Sequence, residues 1–197
     1  LFSNPAYTLK NDLALRLKSR LVLADHYNSI MLKDAELMVN NLPFTADGAI
    51  RNFPEDRRTR IDMDMGLKIS DMNDLLKFIP DAYFQDRDKI LAEGSVILEG
   101  NIHGFLADSI IPNINLCCKI ENGSYHVKGV KQGIDTLAMD LDIHLNGPYP
   151  DSSFISLEQL NMKGLNTALD IQANVTNLFR NPAVNAKMKG QVDFTKM

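Results

Sequence analysis

The sequence of 197 residues contains no tryptophan and only two cysteines. Those two, Cys117 and Cys118, are adjacent. Neighbours in an extended strand point to opposite faces, so a disulfide between them would be strained. No C-x-x-C spacing occurs, which removes the usual zinc and redox frameworks. No apolar run approaches the roughly 18 residues of a membrane-spanning helix. Positive charge is also in short supply. Acidic residues outnumber basic ones by 25 to 21, for a net charge of -4. A nucleic-acid groove needs a clustered basic face, so that partner class is set aside. The densest basic run, Arg57, Arg58 and Arg60, adjoins Glu55 and Asp56 and reads as a solvated loop. Catalytic patterns are missing as well. His26, His103, His126 and His144 are scattered, and no phosphate loop or nucleophile elbow appears.

What is present is alternation. In Leu9–Asp25, "LKNDLALRLKSRLVLAD", leucines occupy odd positions, among them Leu13, Leu15 and Leu17, while Lys10, Asp12, Arg16, Lys18 and Arg20 occupy even ones. A strand sends successive side chains to opposite faces, so this is one strand, straight or bent, with an apolar and a charged side. The same period recurs in Leu37–Leu42 and in Thr45–Asn52, where Asp47-Gly48 marks a bend or bulge. Ile61, Met63, Met65, Leu67 and Ile69 share one face. So do Ile90, Ala92, Val96, Leu98 and Ile102, then Leu137, Met139, Leu141, Ile143 and Leu145, and further sets to the C-terminus. The count is roughly a dozen strands, which predicts a mostly β fold built on an extended, curved antiparallel sheet. The chain is long enough for a core, since folding at this size hides roughly 70% of the unfolded surface. It reads as a single domain over 1–197, or as a fragment or processed form of a longer protein.

Three local features refine this reading. "NINLCCKIENGSYHVKG" predicts a hairpin about Asn122-Gly123, with Ile120 opposite Tyr125 and Cys118 opposite Val127. "SDMNDLLKFIP" predicts a short helix with Ser70 or Asp71 as N-cap, Met72, Leu75, Leu76 and Ile79 on one face, and Pro80 as the stop. The segment Phe105–Pro112 is a candidate for a second helical turn. An offset of 123 residues relates Leu37, Val39, Ile61 and Met65 to Leu160, Met162, Val184 and Met188, a possible internal repeat of 37–69 in 160–194.

Two carboxylate pairs, Asp62/Asp64 and Asp140/Asp142, sit two residues apart on strands. Such a pair can flank a glycosidic bond. Both lie opposite an unbroken apolar face, which favours the wet side of a half-buried sheet. The reading is therefore non-enzymatic, with no catalytic residue, no metal and no cofactor. Met63 and Met65 suit either a core or a surface that adapts to variable apolar ligands. Alternation leaves open whether the apolar faces meet in a sandwich or line a groove. In a groove, each buried methylene is worth about 0.8 kcal/mol, so an acyl chain of roughly 15 carbons gains on the order of 10 kcal/mol before ordering costs.

The order of elements resembles the C-terminal β-rich region of the AsmA-like family, bacterial envelope proteins related to TamB. The resemblance is carried by the opening strand, by "LMVNNLPFTADGAI", by "LKISDMNDLLKFIP", by "GSVILEGNIHGF" and "IPNINLCCKIENGSYHVKG", and by the close "QLNMKGLNTALDIQANVTNLFRNPAVNAKMKGQVDF". It covers nearly the whole chain and rests on pattern rather than on any one motif. It implies a curved sheet with a hydrophobic groove, an inner-membrane anchor upstream, and a periplasmic location. It also implies a role in outer-membrane assembly or phospholipid transport between membranes, without enzyme activity. On this reading Leu13, Leu15, Leu17, Met63, Met65, Leu67, Leu98, Leu141 and Ile143 would contact phospholipid acyl chains. The competing reading is a structural or protein-binding β scaffold for outer-membrane protein assembly, with other envelope proteins as partners.

Overall fold

The alternating segments become strands. A computed structural model describes residues 14–39, 42–76, 89–164 and 166–193. The strands are β1 (Leu15–Ala24), β2 (Ser29–Val39), β3 (Leu42–Phe53), β4 (Arg58–Ile69), β5 (Ile90–Leu106), β6 (Asn113–Val127), β7 (Ile134–Leu145), β8 (Phe154–Gly164), β9 (Thr167–Thr176) and β10 (Ala183–Val192). A short helix, α1 (Asn73–Leu76), follows β4, and two 3-10 turns cover Asp25–Tyr27 and Pro150–Ser152.

All ten strands lie in one sheet, in chain order, each antiparallel to the last. The sandwich alternative fails, because the described residues form no second sheet. The sheet is also open, since β1 pairs with β2 and β10 with β9, not with each other.

Bulges interrupt the ladder and bend it. In β2 an extra residue falls at Asp34–Ala35 against β1 and at Lys33–Asp34 against β3. Asp34 sits at φ 49, and its amide donates to Asp47 Oδ1 at 2.7 Å. The bulge therefore lies in β2, facing the Asp47-Gly48 pair, while β3 runs through that pair in unbroken register with β4.

The expected hairpin at Asn122-Gly123 is overturned. β6 continues through both residues to Val127. Ile120 pairs with Met139 on one side and Val96 on the other, and Tyr125 pairs with Ile134 and Ala92. Asn122, at φ 52, makes a bulge rather than a turn. This bulge and an Asn-Gly two-residue turn both place Asn122 at a positive φ, which asparagine tolerates. The facing residue, Gly94, has φ +111, and a Cβ there would stand 2.7 Å from Gly123 Cα. Phe105–Pro112 holds no helix but a tight turn closed by an Ala107–Ile110 bridge.

The helix forms where expected. Asp71 Oδ1 accepts from the Asn73 amide at 2.9 Å, the N-cap role. Ile79 and Pro80 lie outside the described residues. Met72 and Leu75 pack on Leu42, Leu67, Ile69 and Val96, the buried cluster of the molecule. The Met72 amide donates to Gly94 O at 3.0 Å, and Asn73 Oδ1 accepts from the Ala92 amide at 3.0 Å. These bonds hold α1 over one end of the sheet's apolar side. The offset of 123 residues carries β2, β3 and β4 onto β8, β9 and β10. Evenly spaced hairpins produce that match with or without duplication.

Candidate functional site

Register decides which side chains share a face, because residues paired across strands point the same way. Starting at β1, Leu17 pairs with Leu37, Leu37 with Phe44, Phe44 with Leu67, and Leu67 with Leu98. The line continues through Cys118, Leu141, Leu157 and Ala173 to Ala186 in β10. It is apolar in every strand. The adjoining line runs from Ala35 through Ala46, Met65, Gly100, Leu116, Ile143, Ile155 and Val175 to Val184, again without a polar side chain.

Eight of the nine predicted contact residues fall on this one face. Leu17, Leu67, Leu98 and Leu141 share the first line, and Met65 and Ile143 share the second. Met63, paired with Ile102, lies one step beyond, and Leu15, paired with Val39, lies on the other flank. Leu13 lies outside the described residues.

Burial along the face is uneven. Leu67 is 6% exposed beneath α1, whereas Leu17 at the β1 edge is 67% exposed. Met65 is exposed, and Met63, Leu98, Leu141 and Ile143 are half-buried. Between β1 and β6 the face hollows into a 530 Å³ cavity lined by Leu17, Leu37, Phe44, Met65, Leu98 and Leu116 among others. Ala35, Ala46 and Gly100 also line it, and their small size makes the hollow.

The opposite face is polar. Arg60 Nε donates to Asp62 Oδ2 at 2.6 Å, and this bond holds the Asp62 carboxyl below its ordinary value. Lys119 Nζ lies 3.0 Å from Asp140 Oδ2. Asn115 Nδ2 donates to Asn101 Oδ1 at 2.7 Å, and the other side of Asn115 meets His144. Both aspartate pairs thus sit on the side away from the apolar lines, each with a cation on one member. The Cys117 thiol and the Asp140 and Asp142 carboxylates come within 4.8 Å of one another. A metal ion can use such a set, but Lys119 already supplies a cation there. Burial, then Asp142, pushes the Cys117 thiol up to about 11. In the sequence Cys117 stands out only as the neighbour of Cys118. The signal for this cluster was the pairing of Cys117 with Asp142, visible only once β6 is read as continuous.

Comparison with family models, with curated proteins and with solved structures returns no match. No helix among the described residues is long and apolar enough to cross a membrane.

Proposed function

We propose that this chain is a non-enzymatic segment of a bacterial envelope protein whose apolar sheet face handles phospholipid acyl chains. One observation carries the reading. An unbroken apolar line crosses all ten strands of a single-layered sheet, and among the described residues only α1 lies over it, at one end. An apolar face of this extent is normally covered, and when it is not, it marks an interaction surface. Methylenes gain from burial without regard to sequence or headgroup, so such a face accepts acyl chains unselectively. The resemblance to the AsmA-like family supplies the setting. In that setting the segment faces the periplasm, is attached to the inner membrane upstream, and serves outer-membrane assembly or phospholipid transport.

The test is mass spectrometry of lipids extracted from the purified chain, beside a Met65→Glu variant. Met65 is 43% exposed, so the new carboxylate reaches water and the fold should persist by circular dichroism. Phospholipid on the parent and its loss from the folded variant support the reading. No lipid on either sinks it.

A second reading, a scaffold for protein assembly, is favoured by the outer edges of β1 and β10, which pair with no other strand among the described residues. An open edge presents unpaired backbone groups that an extended partner segment can complete. Edge-directed cross-linking from Lys187 or Lys189 to an envelope protein would select it over the first.

A further inference from the structure

The hollow in the apolar face has a definite shape. Between β2 and β5 it is two lines wide, with Leu37 and Phe44 on one line and Ala46 and Gly100 on the other. Lines lie two residues apart along a strand, about 7 Å. The hollow runs over β1 to β6, five strand spacings, or about 24 Å. One acyl chain of a bilayer leaflet reaches about 15 Å, half the hydrocarbon thickness. The hollow therefore takes one extended chain, lying across the strands. Its two ends differ. Beyond Leu116 in β6 the same face continues with Ile143, so that end offers a polar group only more hydrocarbon. At β1 the lining is Leu17, Ser19 and Leu21. Leu17 and Leu21 are 67% and 54% exposed, and among the described residues no strand lies beyond β1. An amphiphile in the hollow has to bring its polar end out over β1.

That margin is basic. β1 holds Arg16, Lys18 and Arg20 and no carboxylate. These cations stand on the side away from the leucines, one residue from the lining of the hollow, and long side chains on an outermost strand can bend around its edge. Register sets Lys33 of β2 directly opposite Arg20. Like charges placed opposite each other work against pairing. The carboxylates nearby do not relieve this couple. Glu36 lies 3.7 Å from Lys18, and Asp47 accepts from the Asp34 amide. Among the described residues neither Arg20 nor Lys33 has an ion-pair partner, and the Asp34 carboxylate lies beyond ion-pair reach of both. β10 also carries two cations, Lys187 and Lys189, and no carboxylate, but the hollow does not reach it. Basic residues on an outer strand discourage unwanted edge pairing. That role accounts for both margins alike, and not for a like-charged couple at the mouth of the hollow.

We propose that Arg20 and Lys33 seat the phosphate of an anionic phospholipid whose acyl chain lies in the hollow. A phosphate between them turns a repulsion into two charge-assisted contacts, and Arg20 presents the planar fork that suits phosphate oxygens. In a headgroup without an amine the phosphate charge is uncompensated. Phosphatidylglycerol is therefore held in preference to phosphatidylcholine, whose own cation competes for the phosphate. The seat presupposes that the apolar face carries acyl chains. It adds a headgroup preference and a direction, with the head at β1 and the tail towards β6.

In the test, the protein is incubated with vesicles of equal phosphatidylglycerol and phosphatidylcholine, re-isolated by size exclusion, and its bound lipid measured by mass spectrometry. The parent is compared with Arg20→Gln combined with Lys33→Gln, and with Lys187→Gln combined with Lys189→Gln, which removes the same charge from the other margin. All four side chains are exposed, so circular dichroism should stay the same. The parent and the β10 variant should hold phosphatidylglycerol enriched about fivefold or more, and the Arg20/Lys33 variant should hold lipid without that enrichment. Lipid bound without preference by the parent, or a preference lost equally in both variants, overturns the headgroup seat and leaves the acyl-chain reading standing. A preference that survives in the Arg20/Lys33 variant does the same. No lipid on any of the three overturns both.

Discussion

The backbone amide of Asp34 donates to the carboxylate of Asp47 at 2.7 Å across the β2–β3 pair. This clasp holds the bulge that changes the phase of β2. On its near side Ile30 and Leu32 face the apolar lines, and on its far side Ala35, Leu37 and Val39 do. Without the extra residue one half of the strand would turn its apolar side chains to the polar face. Asp47→Ala should therefore cost about 1 kcal/mol in urea unfolding, the worth of an exposed charge-assisted bond. An unchanged midpoint would show that the ladder alone holds the bulge.

Leu67 and Leu17 share an apolar line but not an environment. Leu67→Ala opens a hole among Leu42, Ile69 and Val96 and should cost about 3 kcal/mol. Leu17→Ala, at the exposed edge, should stay within about 0.5 kcal/mol. Paired denaturation curves check this, and equal losses would mean that the edge is covered in solution.

Gly48 has φ +144, and a Cβ there would stand 2.1 Å from Asp62 O. Gly48→Ala should destabilise by about 2 kcal/mol or more, since both the backbone conformation and the β4 carbonyl oppose it. A melting temperature equal to the parent's would contradict the register assigned to β3 and β4.

The Cys117 thiol ordinarily titrates at 9.0 and is pushed up to about 11 here. Between these values the folded chain keeps a proton that the unfolded chain has lost. Stability should therefore fall as pH rises from 9.0 towards about 11. In a Cys118→Ala background, alkylation of Cys117 should follow a titration with its midpoint near about 11. A midpoint at the ordinary value would show that the thiol is not desolvated by its neighbours.

Strand identity and face were legible because a period of two is written into nearly every segment. Met63, Met65 and Leu67 could be placed on one side from spacing alone. What spacing does not encode is where an extra residue enters. Ile120 and Tyr125 face the same way whether the chain turns back at Asn122-Gly123 or bulges there, so one pattern serves both geometries. The choice is made by a distant partner, Gly94, whose missing side chain leaves room for the bulge. The Cys117 cluster was hidden for the same reason, since it depends on which strand lies beside β6. The helix was legible because Asp71 and the Met72/Leu75 spacing are local signals.

A sheet in which every strand pairs only with its neighbours in the chain is close to a one-dimensional object. Its stability accumulates hairpin by hairpin, with no distant loop to close. Such a ribbon unzips from its margins, where among the described residues β1 and β10 are paired on one side only, and amide hydrogens there should exchange before those of β5 and β6. The same logic makes length a free variable. A hairpin gained or lost at either margin lengthens or shortens the apolar track by two strands and leaves the rest of the ribbon as it was.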